Sequence, residues 1–133
     1  MFSNLFDMAA VNAALENPTG WRGSSPDRAV FFEKFIFAQN GYKIDLHKFV
    51  AADEANCFHS HPAVAIRWVI SGGYVEEFSD GSFETRMPGY IGLVQPEMTH
   101  RIASLLDGES VSLWIRTPKT HEINLVGDGW PPQ

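Results

Sequence analysis

The spacing of apolar residues along the chain changes near residue 28. Over residues 3–15, Leu5, Met8, Ala9, Val11 and Leu15 recur at mixed spacings of three and four, the period of a helix that buries one face. Ser3 or Asn4 is the expected N-cap and Pro18 the stop. Residues 17–27 hold Pro18, Gly20, Gly23, Ser24, Ser25 and Pro26, and loop is expected throughout. Beyond Arg28 come short runs rich in Val, Ile, Phe, Tyr and Trp, at 29–38, 42–50, 64–70, 74–78, 82–86, 90–94, 99–105 and 110–116. Gln39-Asn40-Gly41, Ser71-Gly72-Gly73, Ser79-Asp80-Gly81, Pro88-Gly89, Gln95-Pro96 and Asp107-Gly108 separate them. Short strands punctuated by such turns predict an antiparallel sandwich or barrel, with Asp80-Gly81 the clearest hairpin.

One domain is expected, in three parts: a helix and loop over 1–27, a β-barrel over 28–117 and an extended tail over 118–133. In the tail, Pro118, Gly127, Gly129, Pro131 and Pro132 oppose regular structure, and Trp130 is the candidate anchor. The phenylalanine-rich first strand, around 30–36, is expected to pack on a second copy as a homodimer.

Composition narrows the function classes. A chain of 133 residues buries roughly 65–70% of its unfolded surface, so it needs no metal or disulfide merely to fold. A bound metal would therefore point to chemistry. Sixteen acidic residues against ten Lys plus Arg, a net charge of -6 and no basic cluster argue against a nucleic-acid partner. Cys57 is the single cysteine and cannot form an internal disulfide, and residues 1–15 lack the basic start of an export signal. A cytoplasmic location is expected. No apolar run approaches the ~20 residues that span a bilayer, so no membrane partner is expected.

The histidines carry the chemistry. His59-Ser60-His61 puts two imidazoles on one face of an extended chain, where both can reach one ion. Such a pair by itself is more often two ordinary surface histidines. A third ligand from another strand is needed, and His100, in a strand-like segment after the turn at Pro96, is the leading candidate. Three neutral imidazoles leave positions open for water, oxygen or substrate. His47 and His121 have no partner at ligand spacing and read as structural or exposed.

His59-Ser60-His61, Gly72-Gly73, Pro88-Gly89, Pro96 and His100 together resemble the two sequence motifs of the cupin family, over about residues 42–116. The chain more closely resembles small bacterial and phage cupin-like proteins, through His59, His61, Pro62, Ser71, Gly72, Gly73, Tyr74, Pro88, Gly89, His100, Arg101, Trp114, Thr117, Pro118, Gly129 and Trp130. The resemblance implies an all-β, cupin-like antiparallel barrel (a double-stranded β-helix or jelly roll) with a short N-terminal helix, and a metal on His59, His61 and His100. The motif's glutamate would fall at position 65 or 66, where Ala65 and Ile66 stand, so the usual fourth ligand is missing. A three-histidine site resembles that of the thiol dioxygenases, which favours Fe(II), although imidazoles also accept Zn, Ni, Mn or Co. The expected function is an Fe(II)-dependent dioxygenase acting on a small polar molecule; the alternative is a non-catalytic module that binds or senses a small ligand.

Strand parity bears on what else lines the interior. If the strand after His61 runs without a bulge, Ala65, Arg67 and Val69 face inward, and the Arg67 guanidinium is a candidate anchor for a substrate carboxylate. A bulge at Pro62 would reverse this, turning Val64, Ile66, Trp68 and Ile70 inward. Glu97, near His100, is a candidate general base or outer partner of a ligand, against the plainer reading of a solvated turn residue. Cys57 shares the parity of the histidine pair but reads first as a small buried hydrophobe. Tyr42, Tyr74 and Trp114 read as core before they read as lining.

Overall fold

Asn40 and Gly41 both have left-handed backbone, with φ of 54° and 86°. That pair of conformations matches the twist of antiparallel strands and closes a two-residue hairpin in which Gln39 lies opposite Tyr42. The hairpin joins β2 (Ala29–Gln39) to β3 (Tyr42–Phe49). The computed structural model describes residues 7–53, 58–60, 63–118 and 125–126.

Helix α1 (Met8–Leu15) and strand β1 (Gly20–Gly23) precede the hairpin. After it come β4 (Phe58–His59), β5 (Ala65–Ser71), β6 (Tyr74–Phe78), β7 (Phe83–Arg86), β8 (Ile91–Val94), β9 (His100–Leu105), β10 (Ser110–Arg116) and β11 (Leu125–Val126). They form two antiparallel sheets, ordered β1-β2-β3-β10-β5-β8 and β11-β4-β9-β6-β7. Consecutive strands repeatedly change sheet, at β5 to β6, β7 to β8, β8 to β9 and β9 to β10, which is the winding of a jelly roll. The change from β5 to β6 turns on Gly72, with φ of +80°, where an added Cβ would stand 1.9 Å from the Glu109 carbonyl oxygen. Only glycine fits such a backbone and such an approach.

Two apolar clusters fix the layers. Phe31, Phe49 and Val69 from the first sheet meet Tyr74 and Ile102 from the second, filling the space between them. On the other face of the first sheet, Leu15 of α1, flanked by Met8, Val11 and Ala14, covers Leu46, Ile70, Val111 and Leu113. Each side chain fully buried in this way contributes about 1.5–3 kcal/mol.

Two expectations are corrected. The helix begins at Met8, with Asp7 rather than Ser3 or Asn4 as its N-cap; the Asp7 carboxylate accepts a hydrogen bond from Ala10 N at 3.2 Å. A carboxylate with extended backbone just before the first turn caps as well as a hydroxyl does and adds a favourable charge to the dipole. Residues 20–23, expected as loop, form β1 along β2, with Trp21 opposite Phe32. Thr19 secures the pairing, donating N–H to Glu33 O at 2.8 Å and accepting Phe35 N–H on Oγ1 at 2.8 Å. Among the described residues no helix is long and apolar enough to cross a membrane.

Candidate functional site

Odd-numbered residues of β5 face the interior. Ala65 and Arg67 are 1% exposed and Val69 is fully buried, while Ile66 is exposed. The register agrees, since Arg67 lies opposite Trp114 and Val69 opposite Ser112 on β10. A guanidinium in such a place must be paired, because an isolated buried charge is costly. Its partner is Glu76 of β6, itself 0% exposed. Arg67 Nη1 and Nη2 donate to Glu76 Oε2 and Oε1 at 2.8 and 2.7 Å, the fork-to-fork geometry of a strong pair. Nη1 also donates to the Tyr74 hydroxyl at 3.1 Å.

Glu76 is the centre of the site. Arg86 Nε donates to its Oε1 at 3.0 Å, and His100 Nδ1 is hydrogen-bonded to its Oε2. Burial alone would raise the carboxyl pKa, but the hydrogen bonds from His100 and Arg67 and the Arg67 charge outweigh it and hold Glu76 ionised, well below the usual carboxylate range. The same surroundings act on Arg67: burial opposes its charge, Tyr74 and Glu76 overcome that, and the guanidinium stays charged. Burial pushes the Tyr74 hydroxyl up to about 12, so it remains protonated. Tyr90 closes the cluster, with the Arg86 guanidinium 4.4 Å and the Arg67 guanidinium 5.5 Å from its ring centroid.

These contacts decide the state of His100. An ionised carboxylate only accepts, so His100 Nδ1 carries the proton, and in the neutral ring the lone pair lies on Nε2. A histidine whose far nitrogen is held by a carboxylate is the usual arrangement behind a metal ligand. His100 is buried, and its ring stacks on Phe78 at 6.4 Å. Nδ1 of His100 is therefore committed to Glu76.

The structure brings some of the expected residues together. The backbone of His59 pairs directly with that of His100 across β4 and β9. His61, Cys57 and His121 lie outside the described residues. Glu97 is exposed in the turn before β9. Tyr74 and Trp114 are buried, but Tyr42 is exposed, beside the turn that closes the β2–β3 hairpin. His47 is held in the interior, stacked 5.0 Å from both Phe31 and Trp114. Burial, and after it the charges of Arg116, Lys43 and Arg22, push its pKa down to about 3, so the ring is neutral.

Glu76 is the residue that sequence reasoning missed. Its signal was faint: in Tyr74-Val75-Glu76 it shares parity with a tyrosine on a strand following two glycines, a pattern that marks an inward position without giving it a partner.

No family model and no curated protein sequence matches the chain. Solved structures do. A cupin-like protein from Thermotoga maritima MSB8 superposes with a TM-score of 0.63 at 18% identity, covering 84% of this chain and 90% of that one. A conserved protein with a double-stranded β-helix domain from Klebsiella pneumoniae gives 0.62 at 16% identity, covering 89% and 95%. The iron(II) form of HppE gives 0.60 at 8% identity, covering 71% of this chain and 54% of that one. The fold is thus the cupin double-stranded β-helix.

Proposed function

We propose that the protein is a metal-dependent cupin enzyme acting on a small polar molecule, with a divalent ion held by His59, His61 and His100. Iron(II) and dioxygenase chemistry are the first choice. The observation that carries the reading is the bond between buried Glu76 and His100 Nδ1, the carboxylate–histidine pairing that commonly stands behind a metal ligand. The opposition of His59 and His100 in the β4–β9 register supports it, since directly opposed residues lie only ~4.5–5.5 Å apart at Cα. The fold is shared with a structure described as an iron(II) form.

Bound there, iron(II) would supply positions at which oxygen and substrate meet. The chain's own groups do the rest. Glu76 holds His100 in one tautomer, Arg67 and Arg86 hold Glu76 ionised, and Tyr74 and Tyr90 pack around the two guanidiniums. Arg67 gives both Nη atoms to Glu76, so its role in this reading is to position the carboxylate and not to anchor a substrate acid.

The second reading is a non-catalytic cupin that binds or senses a small ligand. Buried Ala65 favours it, because the motif's fourth ligand falls at or beside that position. Metal analysis of untagged protein and oxygen consumption by iron-loaded protein, against thiols and small acids, separate the two. Stoichiometric iron with turnover supports the enzyme; stoichiometric metal with no turnover across the panel supports the binding module. Unchanged metal content in His100→Ala protein overturns the site itself.

A further inference from the structure

On the interior face of β2 and β3 lies a second group of polar side chains that the Glu76 network does not use. It comprises Glu33, Asp45 and His47. One donor atom from each lies within 4.8 Å of the other two, and His47 Nε2 stands 3.8 Å from Glu33 Oε2. The backbone builds this cluster through a bulge. From the Asn40-Gly41 turn the register runs Gln39 opposite Tyr42 and Phe37 opposite Ile44, then shifts between Phe35 and Phe37, so that Phe35 faces Asp45 and Glu33 faces His47. Had the register from the turn run on unshifted, Lys34 would stand opposite His47. A bulge that replaces an ammonium with a carboxylate beside an imidazole re-aims a side chain, as bulges near sites commonly do.

We infer that Glu33, Asp45 and His47 form a second divalent-metal site, with one imidazole nitrogen and two carboxylate oxygens, suited to a borderline ion such as Zn²⁺. Ligand atoms ~2.0–2.2 Å from a tetrahedral zinc stand roughly 3.5 Å apart, so a closure of about 1 Å by side-chain rotation completes the site. Two buried oxygen atoms without a hydrogen bond among the described residues point to a ligand there. Asp45 is 4% exposed, and its Oδ1 makes no hydrogen bond among the described residues. Ser112, 0% exposed and directly opposite His47 on β10, has an Oγ in the same condition. Residues directly opposite in an antiparallel pair share a face. The His47 ring is already clamped between Phe31 and Trp114 and is neutral, the form that ligates.

Three cations work against the ion and set a modest affinity. Lys43 Nζ stands 3.5 Å from Asp45 Oδ2, and an arriving ion must displace it. Arg22 and Arg116 are close enough to bear on His47. Lys43 is therefore an internal competitor, and its removal tightens binding.

The test is calorimetric titration of Zn²⁺ into metal-stripped full-length chain. The expected result is that His100→Ala protein still binds one ion per chain. On that background, Glu33→Gln weakens it at least tenfold and Lys43→Met strengthens it several-fold. Copper(II) bound to His100→Ala protein should show coupling to one nitrogen by electron paramagnetic resonance. His47→Gln with His100 intact gives a second route, removing one of two bound ions. The site is overturned if His100→Ala protein binds no zinc. It is equally overturned if the retained ion ignores Glu33→Gln and couples to two or more nitrogens, the mark of a residual histidine pair. A wild-type chain that binds one ion, lost in Glu33→Gln and kept in His100→Ala, would uphold this site while removing the three-histidine one.

Discussion

Glu76 Oε2 accepts the Nδ1 proton of His100 inside the sandwich, and the same carboxylate receives both Nη atoms of Arg67. A charge relation and a tautomer are thus fixed by one side chain. Glu76→Gln presents an amide that cannot satisfy both: its oxygen can serve Arg67 or His100, and its NH2 group opposes an N–H. The expected loss of metal affinity is 10–100-fold, read by competition with a chelator. Loss of stability should reach about 3–5 kcal/mol, because Arg67 is left buried without its counter-charge, read by urea unfolding.

Arg67 and Glu76 should also be strongly coupled to each other. Arg67→Met alone leaves a buried carboxylate with Arg86 and His100 as its remaining partners, whereas Arg67→Met with Glu76→Leu removes both charges. The double variant is expected to cost less than the sum of the singles by about 1–3 kcal/mol. Additive effects in that cycle would show that the pair does not act as a unit.

What could be read in advance divides along physical lines. The eight runs taken as strands are strands, because period-two alternation between glycine and proline turns reports local burial directly. The inward parity of Arg67 was legible for the same reason. β1 was hidden, since glycines and prolines in residues 17–27 mark bends but carry no information on what pairs between them. The Glu33–His47 neighbourhood was hidden more deeply: it depends on a one-residue shift in register, and counting back from Asn40-Gly41 without the bulge gives the wrong partner. The role of Glu76 arises from four elements meeting across two sheets, a relation that no single stretch of sequence encodes.

The pH dependence of stability should contain two opposing contributions. Asp53 is 4% exposed; burial raises its pKa to about 7 against the hydrogen bond from Ile102 N, which its Oδ2 accepts at 2.7 Å. A folded-state pKa raised from 3.8 to about 7 stabilises the fold at low pH, and that stabilisation is lost as pH rises through this window. His47 does the reverse. Its pKa falls from 6.5 to about 3, so the unfolded chain takes up the proton first and stability is lost as pH falls below 6.5. The two nearly cancel between about pH 4 and 6.5. Asp53→Asn keeps an acceptor for Ile102 N and should unmask a falling limb on acidification, with a gain on the order of 4 kcal/mol at pH 8. His47→Gln should show the opposite slope. Parallel profiles for wild type and Asp53→Asn would contradict the assignment.

Gly72 and Gly81 test the sheet crossing that carries the chain from Arg67 toward Glu76. Both have left-handed backbone, with φ of +80° and +90°, so alanine at either position bears the same conformational penalty of about 1–2 kcal/mol. Their surroundings differ. A Cβ at Gly81 meets nothing within 4 Å, whereas at Gly72 it stands 1.9 Å from Glu109 O and 2.9 Å from Ser110 Cα. Relief at Gly72 must come from moving the backbone at the start of β10, the strand that places Ser112 and Trp114. Gly81→Ala should therefore lower stability by about 1–2 kcal/mol with metal binding unchanged. Gly72→Ala should cost at least ~3 kcal/mol through added strain and weaken metal binding as well. Equal costs at the two positions, measured by urea unfolding, would mean that the loop before β10 gives way freely and that the crossing is not rigid.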